Sequence, residues 1–141
     1  MTDALKAVVT VAVVAVAGAG GLFLAVVQPG GDGVAAAIRL ADGAEYMVYQ
    51  KCNWNAEPYT VALYARESGG TWGWCYIDHE ATRWRGVSMA YDAATDSVRV
   101  SEGGAVRAVI DRPARQLRLS GMGDRPLPQR AGVTPPVPFP L

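Results

Sequence analysis

The fold of this chain is decided by residues 59–78, YTVALYARESGGTWGWCYID, which predict two β-strands joined by a tight turn. From Tyr59 to Ala65 apolar residues alternate with others, so one face of an extended strand is apolar. Glu67 to Gly70 then provides a turn with two glycines. The second half alternates in the same way, and its aromatic residues share one face: Trp72, Trp74 and Tyr76. This pattern predicts a β-hairpin.

Similar short runs on both sides of the hairpin predict an antiparallel meander. Each run is rich in β-forming residues and ends at a turn containing Gly, Asp or Pro. The runs lie at residues 45–51, 83–91, 97–101, 105–111 and 116–120. Strands at this spacing are typical of a small sandwich or barrel, and the sequence leaves both open. We expect this all-β domain to cover residues 44–121.

The N-terminal segment predicts a membrane anchor. Ala7 to Val27 carries no charge, and a helix of about 21 residues spans the hydrocarbon core of a bilayer. Because the backbone must satisfy its own hydrogen bonds there, we expect one transmembrane α-helix over residues 7–27. A cleaved signal peptide with a site at residues 15–17 is the alternative, although the apolar run continues well beyond that site.

The predicted helix carries small residues at four-residue spacing, which favour close packing against another membrane helix. They are Ala17, Gly21 and Ala25. The span contains no ionisable residue, so we expect it to bind no pigment or haem and to carry no protons. The positive-inside tendency, with Lys6 before the span and Asp32 after it, places residues 1–6 in the cytoplasm and the bulk of the chain outside.

Two segments outside the predicted domain have the composition of connectors. Residues 28–43 begin with Pro and Gly, which end a helix, and predict a linker. Residues 122–141 predict an extended tail, since Arg125 to Leu141 contains six prolines. Such a composition favours a polyproline-like conformation with no core of its own.

The two cysteines, Cys52 and Cys75, predict a disulfide, because an even pair in a small exported domain commonly forms one. The bridge would close a loop of about 24 residues and contribute roughly 3 kcal/mol in the chain-entropy model. Two free, buried thiols are the alternative.

Asp78, His79 and Glu80 form the one cluster with the residue types of a chemical site. No second ligand motif accompanies them, so we expect a polar turn, no catalytic or metal role and no cofactor. The aromatic residues Trp72, Trp74, Tyr76 and Trp84 fit either the core, an interface, or a platform that binds sugar or peptide.

Charge is unevenly distributed along the chain. Residues 32–96 hold nine acidic and five basic residues, whereas residues 97–141 hold seven arginines and three acidic residues. Three of these arginines predict a possible interface with an acidic partner or with anionic lipid headgroups: Arg112, Arg115 and Arg118. A solvated strand face is the alternative. Net charge near zero argues against nucleic acid as a partner.

These features predict a non-catalytic, single-pass accessory or structural subunit of a larger membrane protein complex. Its partners would be integral membrane protein subunits and the lipid bilayer, and a respiratory or photosynthetic assembly fits. Eleven arginines against two lysines are typical of a bacterial sequence, so we expect the inner membrane, with the domain in the periplasm. The alternative is a free-standing anchored module that recognises glycan or peptide. A third hypothesis is a small hydrolase or metal protein around His79.

Overall fold

The computed structural model describes residues 12–18, 21–27, 33–52, 59–81 and 84–140, and these ranges form two antiparallel sheets. The strands of the first sheet are β1 Ala12–Gly18, β2 Gly21–Val27, β3 Gly33–Arg39, β4 Glu45–Cys52, β5 Tyr59–Arg66, β6 Gly73–Ala81 and β12 Arg130–Ala131. Those of the second are β7 Val87–Asp92, β8 Ser97–Glu102, β9 Ala105–Asp111, β10 Gln116–Leu119 and β11 Gly123–Pro126.

Both sheets are meanders apart from the edge pair β6–β12, because all other paired strands follow each other in sequence. The seven-stranded sheet has the order β1-β2-β3-β4-β5-β6-β12, and the five-stranded sheet has the order β11-β10-β9-β8-β7. The predicted all-β antiparallel domain is therefore confirmed, and its two stacked sheets make it sandwich-like. The hairpin formed by β5 and β6 is confirmed as well. Its turn is closed by the Gly70 N–H, which donates to the Glu67 carbonyl at 2.9 Å.

The core lies between the two sheets and is formed by alternate residues of nearly every strand. Its largest fully buried side chains include Tyr46, Ile38, Leu63, Ile77, Ile110, Leu117, Val48, Val61, Val98 and Val100. In the five-stranded sheet, β7 and β10 alternate buried with exposed residues. This pattern is typical of a sheet with one face on the core and the other in water.

In the seven-stranded sheet, the central strands β3 to β5 are covered on both faces. In β3 every residue from Val34 to Ile38 is buried, which is the pattern of a strand with no solvent-facing side. On the side away from the core, Val34, Ala37 and Met47 form a second cluster, against which Tyr49, Tyr64, Val137 and Phe139 pack. The last two of these residues belong to the C-terminal tail. The tail therefore provides the second cover of this sheet.

The described part of the predicted transmembrane helix is extended. β1 pairs with β2, Gly18 opposite Gly21, and β2 continues onto β3. Valine-rich segments favour extended backbone when a neighbouring strand accepts their hydrogen bonds. The other residues of the predicted span, 7–11, 19 and 20, lie outside the described residues. The transmembrane helix is thus not confirmed, and among the described residues there is no helix able to cross a membrane.

The four-residue spacing of Ala17, Gly21 and Ala25 does not produce a helix face in these strands. Ala17 lies opposite Leu22, whereas Ala25 lies between Val14 and Ile38. The small residues therefore occupy ordinary positions in a ladder.

The domain extends further in both directions than predicted. β3 falls inside the predicted linker, residues 28–43, and its side chains are part of the core. At the other end, β11 and β12 fall inside the predicted tail and pair with β10 and β6. Both differences arise because pairing with a formed sheet stabilises segments whose own strand pattern is weak.

The predicted disulfide between Cys52 and Cys75 is not supported. Cys75 is a free, buried thiol. β5 lies between the two strands and pairs Cys52 with Tyr59 but Cys75 with Leu63. This register separates the two residues by roughly 10 Å across the sheet and by more along it, whereas a bridge needs Cα atoms within about 7 Å.

We predict that Cys75 reacts with a thiol reagent at pH 8 at least about tenfold more slowly in the folded protein than in denaturant, since reaction requires opening of the core. Burial raises the pKa of this thiol, which lowers its thiolate fraction further. Peptide mapping of the alkylated protein by mass spectrometry measures both rates. A Cys52–Cys75 cross-linked peptide in a non-reducing digest would contradict the prediction.

Candidate functional site

The outward-facing side of β6 is aromatic. Cys75 and Ile77 point into the core, so the alternation of the strand places Trp74 and Tyr76 on the opposite face. Their rings are in contact, with centroids 4.5 Å apart, and Tyr76 is 37% exposed. Tyr64 lies opposite Trp74 on β5 and extends the aromatic surface across the sheet. The aromatic residues singled out from sequence therefore lie on the outer face, apart from Trp84.

Trp84 is a core residue. It is 3% exposed and belongs to the central cluster, while its backbone is bonded on both sides by the Gln50 side chain. The guanidinium of Arg107 lies 5.1 Å from the Trp84 ring centroid. Of the alternatives for this residue, the structure favours packing.

The C-terminal tail lies on the outer face through alternate residues. Val133, Pro135, Val137 and Phe139 are half-buried, whereas the residues between them are exposed. The Phe139 ring lies against Trp72, with centroids 6.0 Å apart, and Val137 and Phe139 pack against the cluster around Met47. The tail thus behaves as an extended segment with one apolar side.

A buried carboxylate organises one end of this contact. Glu45 is 3% exposed and accepts hydrogen bonds from Arg39 Nε at 2.8 Å and from Arg66. The two guanidinium groups then lie over aromatic rings, Arg39 at 5.2 Å from the Phe139 centroid and Arg66 at 5.0 Å from the Trp72 centroid. Glu45 thus holds both guanidinium groups where each makes a cation–π contact with an aromatic ring.

The edge of β6 is closed by the segment that leads into the tail. β12 pairs with β6 only at Gly73 and Trp74. Beyond Trp74 the backbone of β6 is hydrogen-bonded by side chains and not by a neighbouring strand. Gln129 Oε1 accepts from the Tyr76 N–H at 2.9 Å, and Arg125 donates to the Tyr76 carbonyl at 3.1 Å. A Cβ at position 73 would lie 2.4 Å from Pro128 Cβ, so only glycine admits this close approach.

A second polar centre, the Arg112 clamp, joins the turns of the two sheets at one end of the sandwich. The Arg112 guanidinium donates to Asp42 and Glu67 from turns of the seven-stranded sheet, to Asp96 at 2.7 Å in a turn of the five-stranded sheet, and to Tyr46 Oη at 2.9 Å. The Tyr46 hydroxyl in turn donates to Glu67. Three turns distant in sequence are therefore joined to the turn of Arg112 by one cation, whose side chain is 13% exposed.

The clamp shifts the ionisation of its members. Desolvation raises the pKa of the Asp42 carboxyl, but hydrogen bonds from the Ala44 N–H and Arg112 outweigh it, so the pKa lies below its ordinary value. Burial and the hydrogen bond to Glu67 raise the pKa of the Tyr46 hydroxyl well above its usual range. Desolvation lowers the pKa of Arg112, but its hydrogen bonds to Asp42 and Glu67 raise the pKa by more. The guanidinium therefore stays charged.

The three arginines predicted as an interface have different surroundings. Arg112 is committed to the clamp. Arg115 is exposed and lines an open recess of about 470 Å³ beside the clamp, together with Leu127 and Pro128. Arg118 is exposed and pairs with Asp111 at 2.6 Å on the outer face of the five-stranded sheet. The structure does not bring them together as one cationic patch.

The Asp78-His79-Glu80 segment is part of β6 and not the polar turn expected from sequence, because pairing with β5 continues to Ala81. The Asp78 carboxylate lies 3.5 Å from Arg107 of the five-stranded sheet. Among the described residues, no group of three or more acidic, histidine or cysteine side chains is placed to hold a metal ion.

No protein-family model, curated protein or solved structure gave a match to this chain.

We predict that Arg112→Met destabilises the domain by about 2–3 kcal/mol, because charged hydrogen bonds are lost and three carboxylates are left facing each other. Arg118→Met is the matched control. Its ion pair is at the surface, where such pairs contribute less than about 1 kcal/mol. Urea unfolding followed by tryptophan fluorescence measures both. Equal effects of the two substitutions would mean that the clamp does not hold the turns together.

We further predict a pH dependence that comes from Asp42. A carboxyl whose pKa is lowered in the folded state stabilises the protein above its unfolded pKa, and this contribution is lost as pH falls through the folded pKa. The stability difference between the wild type and Asp42→Asn should therefore shrink as pH falls from about 5 to about 2. Asp124→Asn, at an exposed carboxylate of β11, is the control. A difference that stays constant with pH would exclude this origin.

Proposed function

We propose that this chain is a non-catalytic accessory subunit of a larger membrane protein assembly and that it contacts its partners through the outer face of the seven-stranded sheet. The observation that carries the proposal is the contrast between the two outer faces. In the five-stranded sheet most outward residues are polar or small and exposed, such as Ser88, Arg99 and Arg118, although Val106 is exposed and Val109 is half-buried on the same face. In the seven-stranded sheet the corresponding face is aliphatic and aromatic.

An apolar outer face is unusual for a sandwich, since an isolated domain keeps that side of its sheets in water. The tail covers the part around Met47 but leaves Tyr76 37% exposed beside the half-buried Trp74. Clusters of exposed aromatic side chains are enriched at protein interfaces. This supports a partner that extends the cover provided by the tail.

Attachment to the membrane is the second part of the proposal. It rests on the uncharged run from Ala7 to Val27, whose length and composition suit the interior of a bilayer. In the membrane-bound state that we propose, β1 and β2 leave the sheet and this run forms a transmembrane helix, which would place the β-domain on the outer side of a bacterial inner membrane. Its small residues Ala17, Gly21 and Ala25 would then allow close contact with a helix of a partner subunit.

A free-standing module that binds glycan is the second candidate, and the Trp74–Tyr76 pair favours it. The half-buried Trp74 and the 37% exposed Tyr76 are neighbours on a rigid strand, and aromatic rings of this kind bind the apolar faces of sugars. In that case Trp74→Ala should abolish binding of the full chain to soluble cell-wall oligosaccharides, measured by calorimetry. Unchanged heats with the wild type and the variant would remove this candidate.

The assembly proposal predicts that mild detergent extraction of native membranes yields the chain in a stoichiometric complex of higher mass, detected by native mass spectrometry. Tyr76→Lys should release it, because a cation in an apolar contact loses its hydration. Ser88→Lys, on the exposed outer face of the five-stranded sheet, should leave the complex intact. Recovery of the wild type as a monomer would reject the proposal, and loss of the complex with both variants would reject this face as the contact.

A further inference from the structure

The last part of the tail, residues 133–139, contacts the sheet as a bound peptide ligand would. From Val133 to Phe139 its residues alternate between half-buried and exposed, so it presents one side to the sheet as an extended peptide does in a groove. The last backbone hydrogen bond between tail and sheet in the described residues is donated by the Val133 N–H to the Trp72 carbonyl at 3.1 Å. Beyond that point the contact is made by side chains. It therefore depends on a few apolar groups and can be exchanged.

The surface beneath the tail has the chemistry that recognises proline-rich segments. Such segments are extended before binding and dock into grooves lined by aromatic rings. Here Tyr49 and Tyr64 pack edge to face, with centroids 6.4 Å apart, and Trp72 lies beside Phe139. Together with Met47 they form what we call the tail groove. Arg39 and Arg66, held by Glu45, add cations that favour an aromatic residue in the ligand.

We propose that the tail groove is a recognition site for an extended, proline-containing segment of a partner protein with apolar or aromatic residues at alternate positions, and that the tail is a built-in competitor for it. This inference rests on the proposed function and names the class of partner that the outer face takes. The segment V-P-F-P of the tail, residues 137–140, is the template for the sequence recognised.

A partner segment is favoured over the tail of a second copy by the short connection within the chain. Ala131 of β12 is paired at the edge of the same sheet, and Val133 is already bonded to Trp72. A tether this short holds the tail at an effective concentration in the millimolar range, which a dissolved second copy does not reach. A partner held in the same assembly has a comparable advantage and can compete.

The test uses the full chain in detergent and a fluorescein-labelled peptide with the sequence of residues 131–141, AGVTPPVPFPL. In the tail variant Val137→Ala/Phe139→Ala the groove is vacated, so we expect the peptide to bind at least about tenfold more tightly than to wild type by fluorescence anisotropy. The matched control is Thr134→Ala, which changes an exposed residue of the same segment and keeps its prolines. It should behave like the wild type.

A peptide in which serine replaces Val137 and Phe139 should not bind to any of these proteins. Equal affinity for wild type and tail variant, or no binding to the tail variant, would overturn the proposal. Dimers of the wild type that exchange tails would assign the groove to a second copy and would also overturn it.

A measurement on the wild type alone covers the case in which the tail variant does not fold. Saturation with unlabelled peptide should increase hydrogen exchange at the Val133 amide, which is hydrogen-bonded to the Trp72 carbonyl, because the tail is displaced; unchanged exchange would refute displacement. These measurements use purified protein and do not depend on recovery of a complex from membranes. Failure of the groove and failure of the assembly proposal are therefore distinguishable.

Discussion

The structure depends on one constraint, which is that the central strands of the seven-stranded sheet, β3 to β5, carry apolar side chains on both faces and need two covers. One cover is the five-stranded sheet, which closes the core over Tyr46, Leu63 and Ile77. The other is the C-terminal tail, which closes the smaller cluster around Met47. A two-layer sandwich would suffice for a sheet with one apolar face. Here the chain adds a thin third layer, and the proposed function follows from the part that this layer leaves open.

Both covers are positioned by the alternation of β6. The same strand directs Cys75 into the core and Trp74 outward, so a shift of register by one residue would exchange the two faces. Gly73 then lets Pro128 approach closely, and Gln129 and Arg125 bond to the edge at Tyr76. These contacts block the edge of β6 against another strand and turn the chain toward the outer face. The path of the tail is a consequence of how this edge is closed.

The central strands could be predicted from sequence because their information is local. Most of the strands from β5 to β10 alternate with period two and end at turns that contain Gly or Asp, which is the strongest pattern that a strand provides. The sequence predicts a linker where β3 lies, because a strand that is buried on both faces has no alternation of apolar and polar residues. Val34 to Ile38 are all buried and lack that alternation. The Cys52–Cys75 bridge was expected from pairing rules alone. The register that separates the two residues depends on how three strands align. The residues next to each cysteine in the sequence do not indicate it.

The tail was expected to be extended, and it is, but its contact with the sheet was missed. The pattern that identifies it is the spacing of Val133, Val137 and Phe139, which alternate with exposed residues in a segment otherwise characterised by its prolines. Composition obscured this periodicity. The buried Glu45 and its two arginines were not identified either, because ion pairs between β3, β4 and β5 become neighbours only after the strands pair.

The uneven charge along the chain has an internal explanation in the structure. The acidic first half and arginine-rich second half suggested a surface for an acidic partner, but several arginines of the second half meet the acids of the first. Arg112 bonds to Asp42, Glu67 and Asp96. In addition, Arg107 approaches Asp78 across the two sheets, and Arg99 pairs with Asp92 along one of them. Charge complementarity between the sheets thus favours their correct pairing over alternatives. Because much of the arginine charge is already matched within the domain, we assign the proposed contact with a partner to the apolar face.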